Sequence, residues 1–399
     1  MARNNKNNSF ENVLILQGGG SLGAFGCGVF KALAETRVKI DILAGTSIGG
    51  INAAIIAGSK DKHPEYALEQ FWLELAENSI DLVSPLLPLP SVPVPGPSTD
   101  NNKLGSYYSH YHQQAGVSLR QALSFYSSAL YGNSMMFLPR WRPEYAIKDP
   151  KYFRPHEWTY IYDHSPLAST LEKYIDYDKL RPGGNPNARL IITAVNVLSA
   201  KPMTFDSVRQ QITVKHLLGT SGYPLYGFPW VEIEEGVYVW DGSLLSNTPL
   251  REVIDASPVT DKRVFIVENY PKKIERLPQN LPEVLHRARD IVFSDKTEHN
   301  IAMSKVITRY LEYIDELYQI VEKHTDHKKL DKEQLKRIRY KYKRYKQERG
   351  AEIKKILYIT REERFPYLYE NTDFTRAGIK NLIKEGESKT KQALRKMGI

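Results

Sequence analysis

Apolar residues in the first sixty positions come in short unbroken runs, each followed at once by glycine. Val13-Leu14-Ile15-Leu16 has the pattern of a strand buried on both faces. Gly18 to Gly23 follow, and Ala24 to Ala34 then carries Val29, Phe30 and Leu33 as the buried face of a helix. A second strand is predicted over Ile40 to Leu43. It breaks at Gly45 and restarts as a helix of small residues from Ile48 to Ala57. Two successive strand–tight turn–helix units predict an α/β fold with a mainly parallel sheet.

The pattern then lapses. Pro85 to Pro97 holds six prolines in thirteen residues, which excludes helix and central strand. With the Tyr-rich stretch from Tyr107 to Tyr162, it reads as an insertion over about residues 84–166, carrying short helices such as Leu119 to Tyr131. Core pattern resumes as a strand at Arg189 to Val195 and a helix at Thr213 to Ser221. Val231 to Glu234 and Val237 to Trp240 flank Glu235-Gly236, a two-residue hairpin signal, and Asp241-Gly242 closes the second strand. Arg263 to Glu268 is a further buried strand. Pro282 to His324 is helical in period, a helix starts at Asp331, a strand covers Ile353 to Thr360, and a last helix covers Thr375 to Met397.

At 399 residues, with 41% hydrophobic and 25% charged residues, the chain is an ordinary globular mixture. Its one cysteine, Cys27, excludes an intrachain disulfide and a cysteine-rich zinc site. The polar N-terminus lacks the apolar core of a signal peptide, and no apolar run is long enough to span a bilayer. A cytoplasmic enzyme is therefore expected. The net charge of +9 is concentrated. Lys328 to Arg349 holds eleven Lys or Arg against three acids, so a nucleic-acid partner is not expected. Leu335, Ile338, Tyr342 and Tyr345 share one face of this basic helix. It reads either as a packed face with solvated lysines or as a surface for anionic lipid headgroups, which would add peripheral membrane contact.

Candidate chemistry lies at three places. Gly45-Thr46-Ser47-Ile48-Gly49 is a G-x-S-x-G turn between a predicted strand and a predicted helix. This setting strains and exposes a nucleophilic serine at a helix N-terminus, with the Ile48 N–H as an oxyanion donor. Gly18-Gly19-Gly20-Ser21-Leu22-Gly23 fits either an oxyanion loop or the dinucleotide pattern G-x-G-x-x-G. The nucleotide reading needs an acid at the end of the second strand, and Asp41 stands at its start. Asp241, at a strand end, can deprotonate a serine if it is partly desolvated, although Asp-Gly is also an ordinary solvent turn. His216, His286 and His299 are the candidates for a histidine base. All three fall on predicted helices, none in a loop after a strand, and most read as surface residues.

In this order the three motifs resemble the patatin-like phospholipase family. The resemblance implies a three-layer α/β/α fold with a mainly parallel central sheet, a Ser–Asp dyad without histidine, and no metal or organic cofactor. It implies Ser47 as nucleophile and Asp241 as base. Gly18, Gly19 and Gly20, with Ile48, are the implied oxyanion hole, and Gly23, Gly45, Gly49 and Gly242 the supporting turns. Asp241 to Leu250 (DGSLLSNTPL) is similar to the family's stretch around its aspartate, and Ser221 to Pro229 is so more loosely. Leu22 departs by standing where many members carry Arg or Lys, and Ser243 by replacing Gly or Ala. Residues 369–394 look like the C-terminal extension of a bacterial and archaeal branch. The expected organisation is an acyl hydrolase domain over 8–275 and a mostly helical extension over 276–399. The implied reaction is hydrolysis of lipid esters, with a storage polyester or another acyl ester as the alternative substrate. A nucleotide-binding module using Gly18 to Gly23 is the alternative from another class.

Overall fold

The computed structural model describes residues 10–36, 38–79, 125–294, 297–324, 332–349, 351–363 and 370–398. The Pro85–Pro97 loop and the insertion up to residue 124 lie outside the described residues, while residues 125–131 are helical.

Eight strands form the main sheet: β1 (Glu11–Leu16), β2 (Ile42–Thr46), β3 (Arg189–Asn196), β4 (Pro202–Asp206), β5 (Val231–Glu234), β6 (Val237–Asp241), β7 (Lys262–Glu268) and β8 (Ile353–Thr360). Their order is β8-β7-β1-β2-β3-β6-β5, with β4 paired to β3. The pairings from β8 through to β3 are parallel, and those of β4, β5 and β6 are antiparallel.

Alternate residues of β1 serve opposite faces. Leu14 and Leu16 join the larger apolar cluster with Phe25, Ile51 and Trp72. Val13 and Ile15 join the other with Leu250, Val253 and Ile266. Helices α1 (Gly23–Ala34), α2 (Ile48–Ala57) and α3 (Pro64–Glu77) contribute to the first cluster, and α4 (Leu250–Ala256) to the second. The fold is therefore a three-layer α/β/α sandwich around a mostly parallel sheet, whose strands must be apolar on both faces.

β2 runs three residues further than the pattern of apolar positions predicts, through Ala44 and Gly45 to Thr46, because β3 pairs with it up to Thr46↔Thr193. The helical stretch expected over Pro282 to His324 is two helices, α5 (Leu281–Phe293) and α6 (Thr297–His324), followed by α7 (Lys332–Arg349). The last helix, α8 (Arg376–Met397), is capped by Thr375, whose hydroxyl accepts the Gly378 N–H. It packs on α1 so closely that a Cβ at Gly28 would lie 1.9 Å from the Ile383 carbonyl oxygen. This explains why α1 is buried all round, and not on one face as its sequence suggests. The C-terminal stretch thus supplies both an edge strand of the sheet and a helix of its main layer.

Candidate active site

Ser47 follows directly on β2 and precedes α2, with φ 57° and ψ −132°. That region is unfavourable for a residue with a side chain, and such strain persists only where the surroundings impose it. Here the Ser47 N–H donates to Thr220 Oγ1 at 3.1 Å, and the Thr220 hydroxyl donates to the Thr193 carbonyl at 2.6 Å. The flanking glycines are required by space. A Cβ at Gly45 would meet the Gly49 carbonyl carbon at 2.3 Å, and one at Gly49 would meet the Leu16 carbonyl oxygen at 2.1 Å. Ser47 stays half-buried, and the Ile48 N–H opens α2 among the groups that have no intrahelical acceptor.

Asp241 reaches Ser47 through sheet register. β4 holds one edge of β3, with Thr193↔Thr204 and Ala194↔Met203. β2 and β6 therefore meet the other edge end to end, Thr46 opposite Thr193 and Asp241 opposite Ala194. The last residues of two strands distant in sequence become neighbours. The Asp241 side chain is buried, with 1% of its surface exposed, and its Oδ1 accepts the Ser243 N–H at 2.8 Å. Burial pushes its carboxyl up to about 6, against the opposing pull of Ser47 and Ser243. Gly242 is forced here because a Cβ would stand 2.6 Å from Thr193 Oγ1.

The glycine loop crosses directly over this pair. A Cβ at Gly18 would lie 2.8 Å from Ser47 Cβ. Gly19 and Gly20 take φ values of 149° and 57°. The Gly18 N–H donates to Asn247 Oδ1 at 2.9 Å, so this group ties the loop down and is not free to receive a ligand. Asn247 also accepts the Ser243 hydroxyl at 3.1 Å. Gly23 is pressed between Trp72 and Ile48, 2.8 and 2.9 Å from a would-be Cβ. Leu22 is buried beside Tyr223, Tyr270 and Phe293, which places an apolar wall beside the loop. Asp41 accepts the Asn12 N–H at the opposite end of the strands, far from any role beside Gly18 to Gly23.

The histidines differ from expectation. His216 and His286 are buried, with 6% and 2% of their surface exposed. His216 closes a capping box with Thr213, and His286 Nε2 lies 2.6 Å from Glu363 Oε1 and 3.3 Å from Asp290 Oδ2. Both are engaged away from Ser47. The side chain of His299 lies outside the described residues. His286, Asp290, Glu363 and Glu370 bring candidate ligand atoms within 4.8 Å of one another. Arg289 and Arg361 already sit on Glu370 at 2.8 Å, and Arg289 on Asp290 at 2.7 Å, which fits an internal ion-pair cluster and leaves little charge for a metal to neutralise.

Local sequence patterns gave no signal for several site residues. Gln17 donates to Thr248 Oγ1 at 2.8 Å and accepts the Asn269 N–H at 2.9 Å. Asn269 Nδ2 in turn donates to the Gly18 carbonyl at 3.0 Å. Thr220 and Asn247 belong to the same frame. Asn247 lies in the DGSLLSNTPL stretch, and its buried amide is the feature that could have drawn attention to it.

Comparison with known proteins identifies a family. A family model described as Patatin-like phospholipase matches residues 14–254. A lysophospholipase nte1 of Aspergillus terreus is 49% identical over 53 residues, 13% of this chain and 4% of that protein. A patatin-like phospholipase domain-containing protein 7 of Mus musculus is 34% identical over 77 residues, 18% of this chain and 6% of that protein. The chain thus spans only a small part of the length of the curated relatives it matches. The solved structure of VipD from Legionella pneumophila aligns at 15% identity and a TM-score of 0.38, covering 97% of this chain and 67% of that one.

Proposed function

The chain belongs to the patatin-like phospholipase family, and from that premise we propose that it is a serine acyl hydrolase working through Ser47 and Asp241. The observation that supports this is a serine held at positive φ, brought by strand register beside a buried carboxylate whose pKa burial pushes up to about 6. Ionised Asp241 takes the Ser47 proton as Oγ attacks the ester carbonyl. The N–H groups of Gly19, Gly20 and Ile48 receive the oxyanion. The leaving alcohol departs with the proton from Asp241, leaving an acyl-serine. A water molecule then gives its proton to Asp241 and its oxygen to the acyl carbon, and Asp241 passes the proton to Ser47 Oγ as the acyl bond breaks, releasing the acid and restoring both residues. No step requires a metal or an organic cofactor.

Ser47→Ala and Asp241→Asn should each lower kcat by several powers of ten with the fold retained, measured on a panel of phospholipid and p-nitrophenyl esters. Near-normal turnover by Asp241→Asn would sink the dyad. The pH dependence has a definite sign. The folded pKa of Asp241 is raised above the unfolded value, and ionisation is needed for catalysis. Activity should therefore climb as pH rises through about 6, while the stability this carboxyl allows is greatest at low pH and falls across the same window. Asp241→Asn should be more stable than wild type above pH 6, and that advantage should vanish below about pH 4.

The favoured substrate class is a lipid acyl ester, in keeping with the relatives' names, and a storage polyester is the alternative on the same dyad. Among the described residues no helix is long and apolar enough to cross a membrane. Contact with lipid is proposed through α6 and α7. Helix α7 is exposed along most of its length, with Ile338, Tyr340 and Tyr345 among its lysines. Met303, Val306, Tyr310, Tyr313, Leu317 and Ile320 form an exposed apolar line on α6. Basic residues beside apolar and tyrosine side chains suit an anionic headgroup layer, at about 1 kcal/mol per engaged cation, and binding to anionic vesicles should weaken with salt. A cytoplasmic location with peripheral membrane attachment is the corresponding proposal.

A further inference from the structure

The glycine loop over Ser47 is braced from the far end of the chain. Ser21 Oγ donates to the Glu370 carbonyl at 2.9 Å, a buried bond across 349 positions. The next residue, Asn371, lies directly on the loop. A Cβ at Gly20 would stand 2.3 Å from its carbonyl oxygen, and its Nδ2 donates to Tyr226 at 3.1 Å. The Glu370 carboxylate accepts from Arg361 at 2.8 Å. The same guanidinium donates through Nε to the Asn269 carbonyl at 2.9 Å, and Asn269 holds the Gly18 carbonyl. Arg361 therefore joins both ends of the loop, reaching Gly18 through Asn269 and Ser21 through Glu370. It is 6% exposed, just past the end of β8.

We propose that Arg361 is a positioning residue for acyl transfer, bracing the Gly18 to Ser21 loop so that the Gly19 and Gly20 N–H groups stay aimed at the oxyanion. This rests on the Ser47–Asp241 reading. A buried charge is costly, and apolar packing would serve as well if the role were only to fill space. A guanidinium reaches two acceptors in different directions with a rigid fork, whereas an ammonium is a single compact charge. The chemistry explains the choice of side chain. Oxyanion donors act only if they are in place before charge develops, and a shift of about 1 Å in a catalytic group can cost on the order of 100-fold in rate. The support comes from Arg361, Glu370 and Asn371, so the C-terminal stretch braces the loop from outside the Ser47–Asp241 pair.

The test compares wild type, Arg361→Lys and Ser21→Ala. Steady-state kinetics on a short-chain p-nitrophenyl ester, the rate of Ser47 labelling by a fluorophosphonate, and the pH profile are measured for each. Arg361→Lys should lower kcat and labelling by about 10- to 100-fold with KM changed less than about 3-fold. Ser21→Ala, which removes one hydrogen bond, should lower kcat by about 3- to 10-fold. The acid limb near pH 6 should keep its position in both, because Asp241 is untouched. If Arg361→Lys fails to fold, Ser21→Ala decides alone. Folded variants with wild-type kcat, or a loss accompanied by a displaced acid limb, overturn the proposal while the dyad stands. A wild type that neither turns over ester nor labels removes the dyad reading and this inference with it.

Discussion

Helices α7 and α8 are close relatives in composition and opposites in structure. α7 carries nine Lys or Arg against two acids, and α8 seven against two. Yet α8 is welded into the main helical layer, while α7 is exposed on most of its surface. Charge does not separate them. The difference is a continuous small and apolar seam in α8, where Ile379, Ile383, Gly386, Thr390 and Leu394 recur at helical spacing and are all buried. Gly386 lets the backbones touch. A Cβ there would meet the Phe25 carbonyl oxygen at 2.2 Å, mirroring Gly28 on the other helix. The lysines of α8 stand on the rim, as with Lys391 beside Glu35 and Lys389 beside Glu362. In α7 the corresponding face holds Tyr342, stacked on Tyr318 of α6 with centroids 4.0 Å apart, and Arg339 paired to Glu322 at 2.7 Å. Those contacts join two helices to each other and bury little of either.

The comparison can be broken most forcefully at the seam. Gly28→Ala and Gly386→Ala each push a methyl into backbone that cannot yield, and each should cost more than about 3 kcal/mol of global stability in urea titration. A loss below about 1 kcal/mol would mean that the two helices are not locked together. Tyr342→Ala should have an intermediate and local effect. It removes the stack on Tyr318 and the hydrogen bond to Asp315, so amide exchange across 297–349 should quicken, while the global urea midpoint stays within about 0.5 kcal/mol of wild type. The smallest effect on stability belongs to Lys341, Lys343 and Arg344 changed together to Gln, which should alter folding by less than about 0.5 kcal/mol. In flotation assays this variant should bind vesicles containing anionic lipid less than wild type does, with the difference vanishing at high salt. Equal binding by both proteins, or none by either, would leave α7 as a solvated helix and retire its lipid role.

The two regions also differ in how much of them could be read from sequence. The α8 period was legible, and its cap at Thr375 falls where the helix was expected to begin. Its partner was not legible, because the pattern shows that a face is buried and is silent about which surface covers it. The same limit applies to α1, whose apolar face shows in its sequence and whose burial on the other side by α8 does not. The burial of the histidines is hidden from local sequence for a related reason. His286 reads as one polar residue on a charged helix, and it becomes an interior group only when Glu363 and Glu370 are folded onto it.

What the sequence determined by itself is local. Apolar runs ending in glycine made strands that stop at tight turns, Gly45 and Gly49 allowed the elbow that strains Ser47, and Glu235-Gly236 made the hairpin that ends at Asp241. These follow from backbone sterics and from periodicity over a few residues. Tertiary structure alone decided that β6 would continue the line of β2 along one edge of β3, bringing Asp241 to Ser47. It also decided that Arg361 and Glu370 would close over the glycine loop. Such meetings depend on strand register and on which layer covers which, and those are set by packing summed over the whole core, which no short window of sequence contains.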